Sequence, residues 1–354
     1  MLGHLQCSVY HITCDVAFGR LAVQGGAPVG RATAGPAVTQ PVRPRFIGAA
    51  ELAAALPWTE AIAALEAAFA GPRPDGPARS HVAVPGGELL LMPAAGAGGV
   101  GVKLVTLAPG NAQRGLPFIH GVYVLFEPGT LAPAAIVEGA ALTALRTAAV
   151  SALATHHLAR PDARRLVVFG AGAQARAHVA AMRAVRPIEE VAIVGRDRGR
   201  ARALVAALAA DGVAAAVAGP EAVASADVVC TCTTSREPLF AATALPPGAH
   251  VNAIGAYRRD MRELPAAVLR HALLVVETRE SALLEAGDVL LAIADGVLTE
   301  ADVRHELAAV VQGTVGRGGR EEVTVFKSVG LALEDLAIAA AAERRLRSAA
   351  VAAS

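Results

Sequence analysis

A glycine-rich turn between a short apolar strand and a helix constrains the fold of this chain most strongly. Residues 166–169 (LVVF) predict a fully buried strand, and residues 170–175 (GAGAQA) follow it directly and begin a helical pattern. This arrangement matches the dinucleotide-binding fingerprint, whose first glycine permits a tight turn and whose second lets the backbone approach a pyrophosphate. The helix N-terminus then offers free N–H groups to the phosphates. The turn therefore predicts a nucleotide site that comprises Gly170, Gly172, Ala173 and Gln174.

The surrounding sequence predicts an α/β fold with two domains, which suits a chain of 354 residues. After the turn, apolar strands alternate with helices, as in a Rossmann-type doubly wound parallel sheet, at residues 191–194, 228–232, 250–254 and 273–276. Before it, apolar runs separated by Pro/Gly turns are typical of an antiparallel sheet, at residues 81–84, 88–92, 101–107 and 121–126. Two helices are expected there, one capped by Thr59 and one over residues 143–159.

These patterns predict the domain boundaries. Residues 45–148 with 325–354 are assigned to a smaller α+β domain for substrate binding and dimerisation, and residues 149–324 to the dinucleotide-binding domain. Residues 1–44 show no sustained hydrophobic period, so we predict a disordered extension whose deletion changes neither melting temperature nor activity.

The tip of the second nucleotide-domain strand bears on the cofactor. NAD enzymes usually place an acid there to accept hydrogen bonds from the ribose, whereas this chain has Gly195 and Arg196. Arg196, with Arg198, could hold a 2′-phosphate, so NADP(H) is the preferred cofactor and NAD(H) a possible one. In the alternative, Asp197 accepts from the ribose and the arginines are a solvated helix start.

Charge and cysteine content narrow the partners and the compartment. The net charge is +1, and no long uninterrupted lipid-compatible run stands out, so neither nucleic acid nor a membrane is expected as a partner. Cys230 and Cys232 would share a strand face, which makes a metal or redox pair conceivable. Small apolar core residues are the favoured interpretation, with no metal site and a reducing, cytoplasmic location.

Several strings together resemble the ornithine cyclodeaminase/mu-crystallin family, over most of residues 45 to 345. They stand at residues 101–106 (GVKLVT), 142–149 (LTALRTAA), 170–175 (GAGAQA), 250–256 (HVNAIGA), 285–288 (EAGD) and 324–330 (TVFKSVG). The resemblance implies a homodimer of two-domain subunits that act on a small imino or amino acid. It also implies that Arg79 and Lys103 bind the substrate carboxylate, in keeping with the geometry of such ion pairs. A surface position is the alternative for Arg79, whereas Lys103 lies in an apolar run and needs a partner or a ligand.

The resemblance assigns further roles around the cofactor. It implies that Arg146 touches the cofactor phosphates, with a salt bridge on a helix face as the alternative. Thr231 and Thr233 end a predicted strand and are expected to face the cofactor cleft, unless they simply bond to nearby backbone. Ser328 and Val329 resemble residues that line the nicotinamide side, and Val329 is expected to contact substrate.

One departure from the family pattern separates the possible activities. Cyclodeaminases and related alanine dehydrogenases carry an acid/base aspartate directly after the motif ending at Ala256, where this chain has Tyr257, with Asp260 three residues later. Members without the acid resemble ketimine reductases. We therefore expect NAD(P)H-dependent reduction of Δ1-pyrroline-2-carboxylate or Δ1-piperideine-2-carboxylate, with Lys103 or an ordered water supplying the proton. An ornithine cyclodeaminase-type lyase and a non-catalytic ligand-binding protein are the alternatives.

Overall fold

Two β-sheets organise the chain in the computed structural model, which describes residues 43–72, 79–96 and 98–352. All but the last two residues of the predicted extension 1–44 lie outside the described residues, as do Cys7 and Cys14.

The smaller sheet has six strands in the order β1-β6-β5-β4-β3-β2. Strands β2 to β6 pair antiparallel in sequence order, as their Pro/Gly turns predict, and β1 adds parallel to β6. The sheet consists of β1 (Arg45–Ile47), β2 (Ser80–Val84), β3 (Gly87–Gly96), β4 (Gly99–Leu107), β5 (Ile119–Phe126) and β6 (Pro133–Glu138). The helices around it are α1 (Ala49–Ala55), α2 (Trp58–Ala70), α3 (Gly139–Leu158) and α10 (Ala332–Ala352).

The larger sheet has eight strands, all parallel, in the order β13-β12-β14-β11-β10-β7-β8-β9. Its strands are β7 (Arg165–Phe169), β8 (Glu190–Val194), β9 (Ala215–Ala218), β10 (Val228–Thr231), β11 (His250–Ala253), β12 (Leu273–Val276), β13 (His305–Glu306) and β14 (Thr324–Lys327). The helices between them are α4 (Ala173–Val185), α5 (Arg198–Ala210), α6 (Ala266–His271), α7 (Arg279–Glu285), α8 (Gly287–Ala294) and α9 (Leu307–Val311). The strand order reverses between β7 and β10, and doubly wound sheets bind ligands at the carboxyl edge of such a switch point. The predicted fold class is therefore confirmed.

Alternation along β4 determines which face of the smaller sheet is buried. Gly101, Lys103 and Val105 point inward, whereas Val102 and Leu104 between them are partly exposed. The inward face packs against α3 and α10, and the main hydrophobic core continues from there through α4 to the larger sheet. This packing brings Lys103 between the two sheets.

Several predicted boundaries are wrong. Helix α2 begins at Trp58 with Pro57 as its N-cap, so Thr59 lies inside the helix. Helix α3 begins before the predicted residue 143, because the Glu138 carboxylate caps it by accepting from the N–H groups of Ala140 and Ala141. Strand β14 belongs to the larger sheet, so the predicted boundary at 324/325 cuts through it. The boundary at 148/149 falls inside α3, which contacts both sheets.

No single helix in the described part of the chain has the length and apolar composition to cross a membrane. Helices α1 and α2 meet that criterion only as a pair bent by 79°, and the apolar face of α2 lies in the main core.

Candidate active site

The glycine turn after β7 has the geometry that a dinucleotide requires. Gly170 has a φ of +117°, and a Cβ on it would lie 2.5 Å from the carbonyl oxygen of Cys232, so only glycine fits. Gly172 caps α4 without a side-chain hydrogen bond, and no atom lies within 4 Å of the place a Cβ would take. The first turn of α4 therefore presents its N–H groups to open space, where a pyrophosphate fits. Ala175 is fully buried, which allows the close helix packing.

A cavity of about 640 Å³ extends from this turn along the carboxyl ends of β7, β8 and β10. Gly170 and Gly172 line it, but Ala173 and Gln174 do not. The Gln174 amide donates instead to the carbonyl of Thr143 in α3, at 3.4 Å. Ala173 and Gln174 form the start of α4, and their contacts with a cofactor stay a prediction.

Three arginines line this cavity beyond the tip of β8, namely Arg196, Arg198 and Arg200, and the Arg198 guanidinium donates to the carbonyl of Ala218 at 3.3 Å. The carboxylate of Asp197 accepts from the N–H groups of Gly199 and Arg200 at 2.9 and 3.1 Å, and so caps α5. The Asp197 carboxylate thus serves the helix, and it lies 3.7 Å from the Arg200 guanidinium. Sequence reasoning missed Arg200, although it lies one helical turn beyond Arg196.

The two threonines after β10 differ in their surroundings. Thr231 is fully buried and donates to Glu263 at 2.7 Å, so the prediction that it faces the cofactor cleft is wrong. Thr233 lines the cavity, and both its N–H and its hydroxyl donate to Glu263 at 2.7 Å. Glu263 also accepts from the N–H of Gly255 at 2.8 Å. This carboxylate therefore fixes the ends of β10 and β11, a role that the sequence did not show.

A second buried acid supports Glu263 from below. Asp288 accepts from the N–H groups of Glu263 and Leu264 at 2.7 and 2.9 Å, and its other oxygen lies 3.1 Å from the ammonium of Lys327. Burial first, and then the Asp288 carboxylate, raise the pKa of Glu263. The carboxyl ends of β10 and β11 are thus held by acidic side chains and a lysine that are buried.

Lys103 lies buried between the sheets, with 2% of its surface exposed. Its ammonium donates to Asp335 of α10 at 3.0 Å and lies 3.4 Å from the hydroxyl of Thr143. Burial lowers the pKa of Lys103 from 10.5 to about 8, and the cations of Arg146 and Arg79 contribute, while Asp335 opposes the shift. The partner that the sequence demanded for Lys103 is therefore Asp335.

Arg146 joins the same cluster. Its guanidinium donates to Glu334 at 2.7 Å and lies 3.4 Å from Asp335. It is buried, and both acids that pair with it belong to α10. A salt bridge is therefore present, inside the protein and not on an exposed helix face, and the contact of Arg146 with the cofactor phosphates stays a prediction. Burial, and then the Glu277 carboxylate, raise the pKa of Glu334 well above its usual value.

Arg79 lies at the start of β2, with 13% of its side chain exposed. Its guanidinium donates to the carbonyls of Val329 and Gly330 at 3.0 and 2.6 Å, and it lies 3.1 Å from the carboxylate of Glu285. These contacts rule out a free surface position. Arg79, Glu285 and Glu277 also line a second cavity, of about 420 Å³.

The segment after β14 is held by a carboxylate that sequence reasoning missed. The hydroxyl of Ser328 donates to Glu277 at 2.5 Å, and the N–H groups of Val329 and Gly330 donate to it at 3.0 and 2.8 Å. Ser328 is 1% exposed. Its hydroxyl therefore donates to Glu277, and a contact of Ser328 with the nicotinamide stays a prediction. An acid directly after a buried strand was the available signal.

Tyr257 follows β11 and is half-buried. Burial raises the pKa of its phenol above 10.0, and Arg79 and Glu88 lie close enough to influence it. Asp260 is half-exposed and paired with Arg236 at 2.8 Å. The side chain at the family's acid position is therefore a neutral phenol, and the next acid along the chain faces solvent.

The cysteines Cys230 and Cys232 differ in their surroundings. Cys230 is fully buried, and burial raises the pKa of its thiol to about 12. Cys232 is partly buried and lines the nucleotide cavity. Within residues 43–72, 79–96 and 98–352, no group of three or more His, Cys, Asp or Glu side chains could hold a metal ion. Only Cys230 therefore has the position of a core side chain.

Taken together, Arg79, Lys103 and Arg146 form one cluster. Asp335 lies 2.8 Å from Lys103 and 3.4 Å from Arg146, and Gly330 lies next to both guanidinium groups. Asp335, Glu334 and Glu285 hold them in place. Converging cations of this kind suit a small carboxylate ligand. The glycine turn and the arginines beyond β8 suit a dinucleotide at the carboxyl edge of the larger sheet.

Several known proteins are similar to this chain. The family model of the ornithine cyclodeaminase/mu-crystallin family matches residues 48–349. The Δ1-pyrroline-2-carboxylate reductase of Bacillus cereus (strain ATCC 10987 / NRS 248) is 39% identical over 71% of this chain and 79% of its own length. The ketimine reductase mu-crystallin of Rattus norvegicus is 39% identical over 78% and 88%. The structure of Thermococcus litoralis Δ1-pyrroline-2-carboxylate reductase in complex with NADH and L-proline superposes with a TM-score of 0.82, at 33% identity, covering 86% of this chain and 98% of that one. The chain therefore belongs to the ornithine cyclodeaminase/mu-crystallin family, as its motifs predict.

Proposed function

We propose that this protein is an imine reductase that uses NAD(P)H to reduce small cyclic imino acids. The substrates would be Δ1-pyrroline-2-carboxylate, which gives proline, and Δ1-piperideine-2-carboxylate, which gives pipecolate. The observation that carries the proposal is that the site combines a buried cluster of cations with a neutral phenol, Tyr257, in place of an acid. The relatives of known activity and the solved structure with NADH and L-proline support it.

The substrate carboxylate would bind at Arg79 and Lys103. Arg146 would take part as well, because it pairs with Asp335, which also pairs with Lys103. A carboxylate at this site competes with Glu285 for Arg79, because one guanidinium edge now faces that acid. Two guanidinium groups and an ammonium also select against substrates that lack a carboxylate. Val329 lies beside Arg79, where the ring of the substrate would pack.

Reduction needs a hydride and a proton. NAD(P)H supplies the hydride when bound. Lys103 can supply the proton, because its pKa of about 8 keeps the ammonium charged at neutral pH and close to transfer. Tyr257 stays a hydrogen-bond donor and cannot act as the carboxylate base that amine chemistry requires. The lyase alternative therefore lacks its base.

We also propose NADP(H) as the preferred cofactor. Arg196, Arg198 and Arg200 line the cavity beyond β8, and Asp197 is occupied by the start of α5. Two or three guanidinium groups suit a 2′-phosphate better than a ribose hydroxyl.

The decisive experiment supplies purified protein with NADPH and each cyclic imino acid and follows the absorbance of the reduced nicotinamide. We expect turnover with at least one imino acid, and a KM that rises in Arg79→Ala while cofactor affinity holds. Lys103→Met should lower turnover as well. Ammonia release from ornithine at a rate that rivals imine reduction would overturn the proposal in favour of the lyase. Cofactor binding without any turnover would favour a binding protein.

We further propose a homodimer in a reducing compartment such as the cytoplasm. The outer face of the smaller sheet is apolar and partly exposed, as the burial of Val102, Leu104, Val122 and Val124 shows. An apolar face of this kind is typical of a subunit interface. The free thiols of Cys230 and Cys232 fit the compartment.

A further inference from the structure

The peptide segment 328–330 connects the two sheets next to the cation cluster. It leaves β14 of the larger sheet and leads into α10, which packs on β3 and β4 of the smaller one. On one side of the segment, three groups donate to Glu277, namely the Ser328 hydroxyl and the N–H groups of Val329 and Gly330. Glu277 is 1% exposed and directly follows β12, which pairs with β14. This carboxylate is therefore a rigid support for the segment.

The other side of the segment faces the cations. The carbonyls of Val329 and Gly330 accept from the Arg79 guanidinium at 3.0 and 2.6 Å. Gly330 has a φ of +83°, and a Cβ on it would lie 2.2 Å from Nη1 of Arg146. Both guanidinium groups are thus placed against the same two peptide units.

The segment is held from both sides, by an acceptor on its N–H groups and a donor on its carbonyls, so its position depends on both sets of hydrogen bonds. Movement of the segment would displace Arg79 and open space next to Arg146. We propose that Glu277 is a positioning residue for the carboxylate-binding site, acting on Arg79 through the backbone of residues 328–330. The inference rests on the proposed function insofar as these cations hold the substrate carboxylate.

Three substitutions of Glu277 distinguish its hydrogen bonds to the segment from the effect of its negative charge. Glu277→Ala removes the acceptor, and misplacement of Arg79 should raise the KM for the imino acid by about 10- to 100-fold. Glu277→Asp shortens the side chain by one methylene group and should also raise the KM. Glu277→Gln keeps the length and one acceptor oxygen for the two N–H groups, so KM should stay within about threefold of wild type. A Gln variant as impaired as the Ala variant would mean that the charge matters, and it would overturn the proposal.

A double-mutant cycle tests the route through Arg79. If Glu277 acts by placing Arg79, then Glu277→Ala should add little to the KM of Arg79→Ala, because the guanidinium to be placed is gone. Fully additive effects on KM would show that the two residues act independently.

Amide hydrogen exchange of a peptide that spans residues 328–330 decides the matter without catalysis. Exchange should rise at least tenfold in Glu277→Ala, and measurably in Arg79→Ala. Asp227→Ala is a matched control, since Asp227 also binds two backbone N–H groups, those of Arg164 and Arg165, together with the Arg160 guanidinium, at the other end of β10. It should alter neither KM nor exchange at 328–330. Unchanged exchange in Glu277→Ala would overturn the positioning role of Glu277. Failure of wild type to reduce any imine would overturn only the proposed function.

Discussion

Lys103 keeps its charge where water barely reaches it, and the ion pair with Asp335 compensates only part of the desolvation. Its pKa of about 8 lies below the ordinary 10.5, so the ammonium is present below pH 8 and is lost as the pH rises above it. We predict that the KM for the imino acid rises roughly tenfold per pH unit well above pH 8. Steady-state kinetics from about pH 6 to about pH 10, a range that spans the transition, would measure this change in KM.

The Lys103→Met variant is the control for this profile, since it removes the titrating group and should flatten the rise. A wild-type KM that stays constant through pH 9, or an equal rise in the variant, would assign the titration to the substrate or to another residue.

The arginines beyond β8 give a prediction about cofactor choice. Arg196→Ala and Arg200→Ala should each weaken NADPH binding by about 10- to 100-fold, since a lost charge-assisted contact costs ~1.5–3 kcal/mol. NADH binding should change little, because NADH carries no 2′-phosphate. Arg202 is the matched control: it lies further along α5 and is not among the residues that line the cavity. Fluorescence titration with both cofactors measures the effect, and equal losses for NADPH and NADH would contradict the 2′-phosphate role.

At the scale of elements, the turn from β7 to α4 has one glycine that the fold requires and one that only cofactor binding requires. Gly170→Ala combines a left-handed φ with a contact of 2.5 Å to the Cys232 carbonyl, so it should lower the melting temperature and abolish cofactor binding. The backbone strain alone costs ~1–3 kcal/mol. Gly172 has open space around it, so Gly172→Ala should leave the melting temperature nearly unchanged while its methyl group weakens NADPH binding.

Gly212→Ala controls for the strain, because Gly212 has a φ of +74° and a Cβ on it would have no atom within 4 Å. Thermal unfolding and NADPH titration of the three variants check the prediction. It would be contradicted if Gly170→Ala behaved like Gly212→Ala.

At the scale of the whole molecule, the outer face of the smaller sheet decides the assembly. Leu104 pairs across the sheet with Val122 and Leu91, all on the partly exposed face. We predict that wild type sediments as a dimer and that Leu104→Glu shifts it to a monomer, because a charge would be buried without a partner. Val351→Glu is the matched control, since Val351 is 74% exposed on α10. Analytical ultracentrifugation measures the masses, and a monomeric wild type would refute the proposed dimer.

Local signals were sufficient for much of the fold. A strand, two glycines and a helix must lie next to one another in sequence for the dinucleotide turn to form, so the turn could be predicted from residues 166–175 alone. The antiparallel strands followed from alternation and from the turns between them, which are also local. Helix starts were less accessible: the cap of α3 is Glu138, which belongs to the end of β6, and α2 follows a proline.

By itself, the sequence determined the family, the fold class, the glycine turn, and the need of Lys103 for a partner. Only the tertiary structure decided which buried polar groups meet. Arg146 pairs with Glu334, 188 positions along the chain, and Thr231 with Glu263, 32 positions away. A buried ion pair leaves no periodic trace in a sequence, because its partner can come from any element that the packing brings near. For the same reason Glu277 could not be linked to Arg79 until β12, β14 and β2 were placed around one segment of backbone.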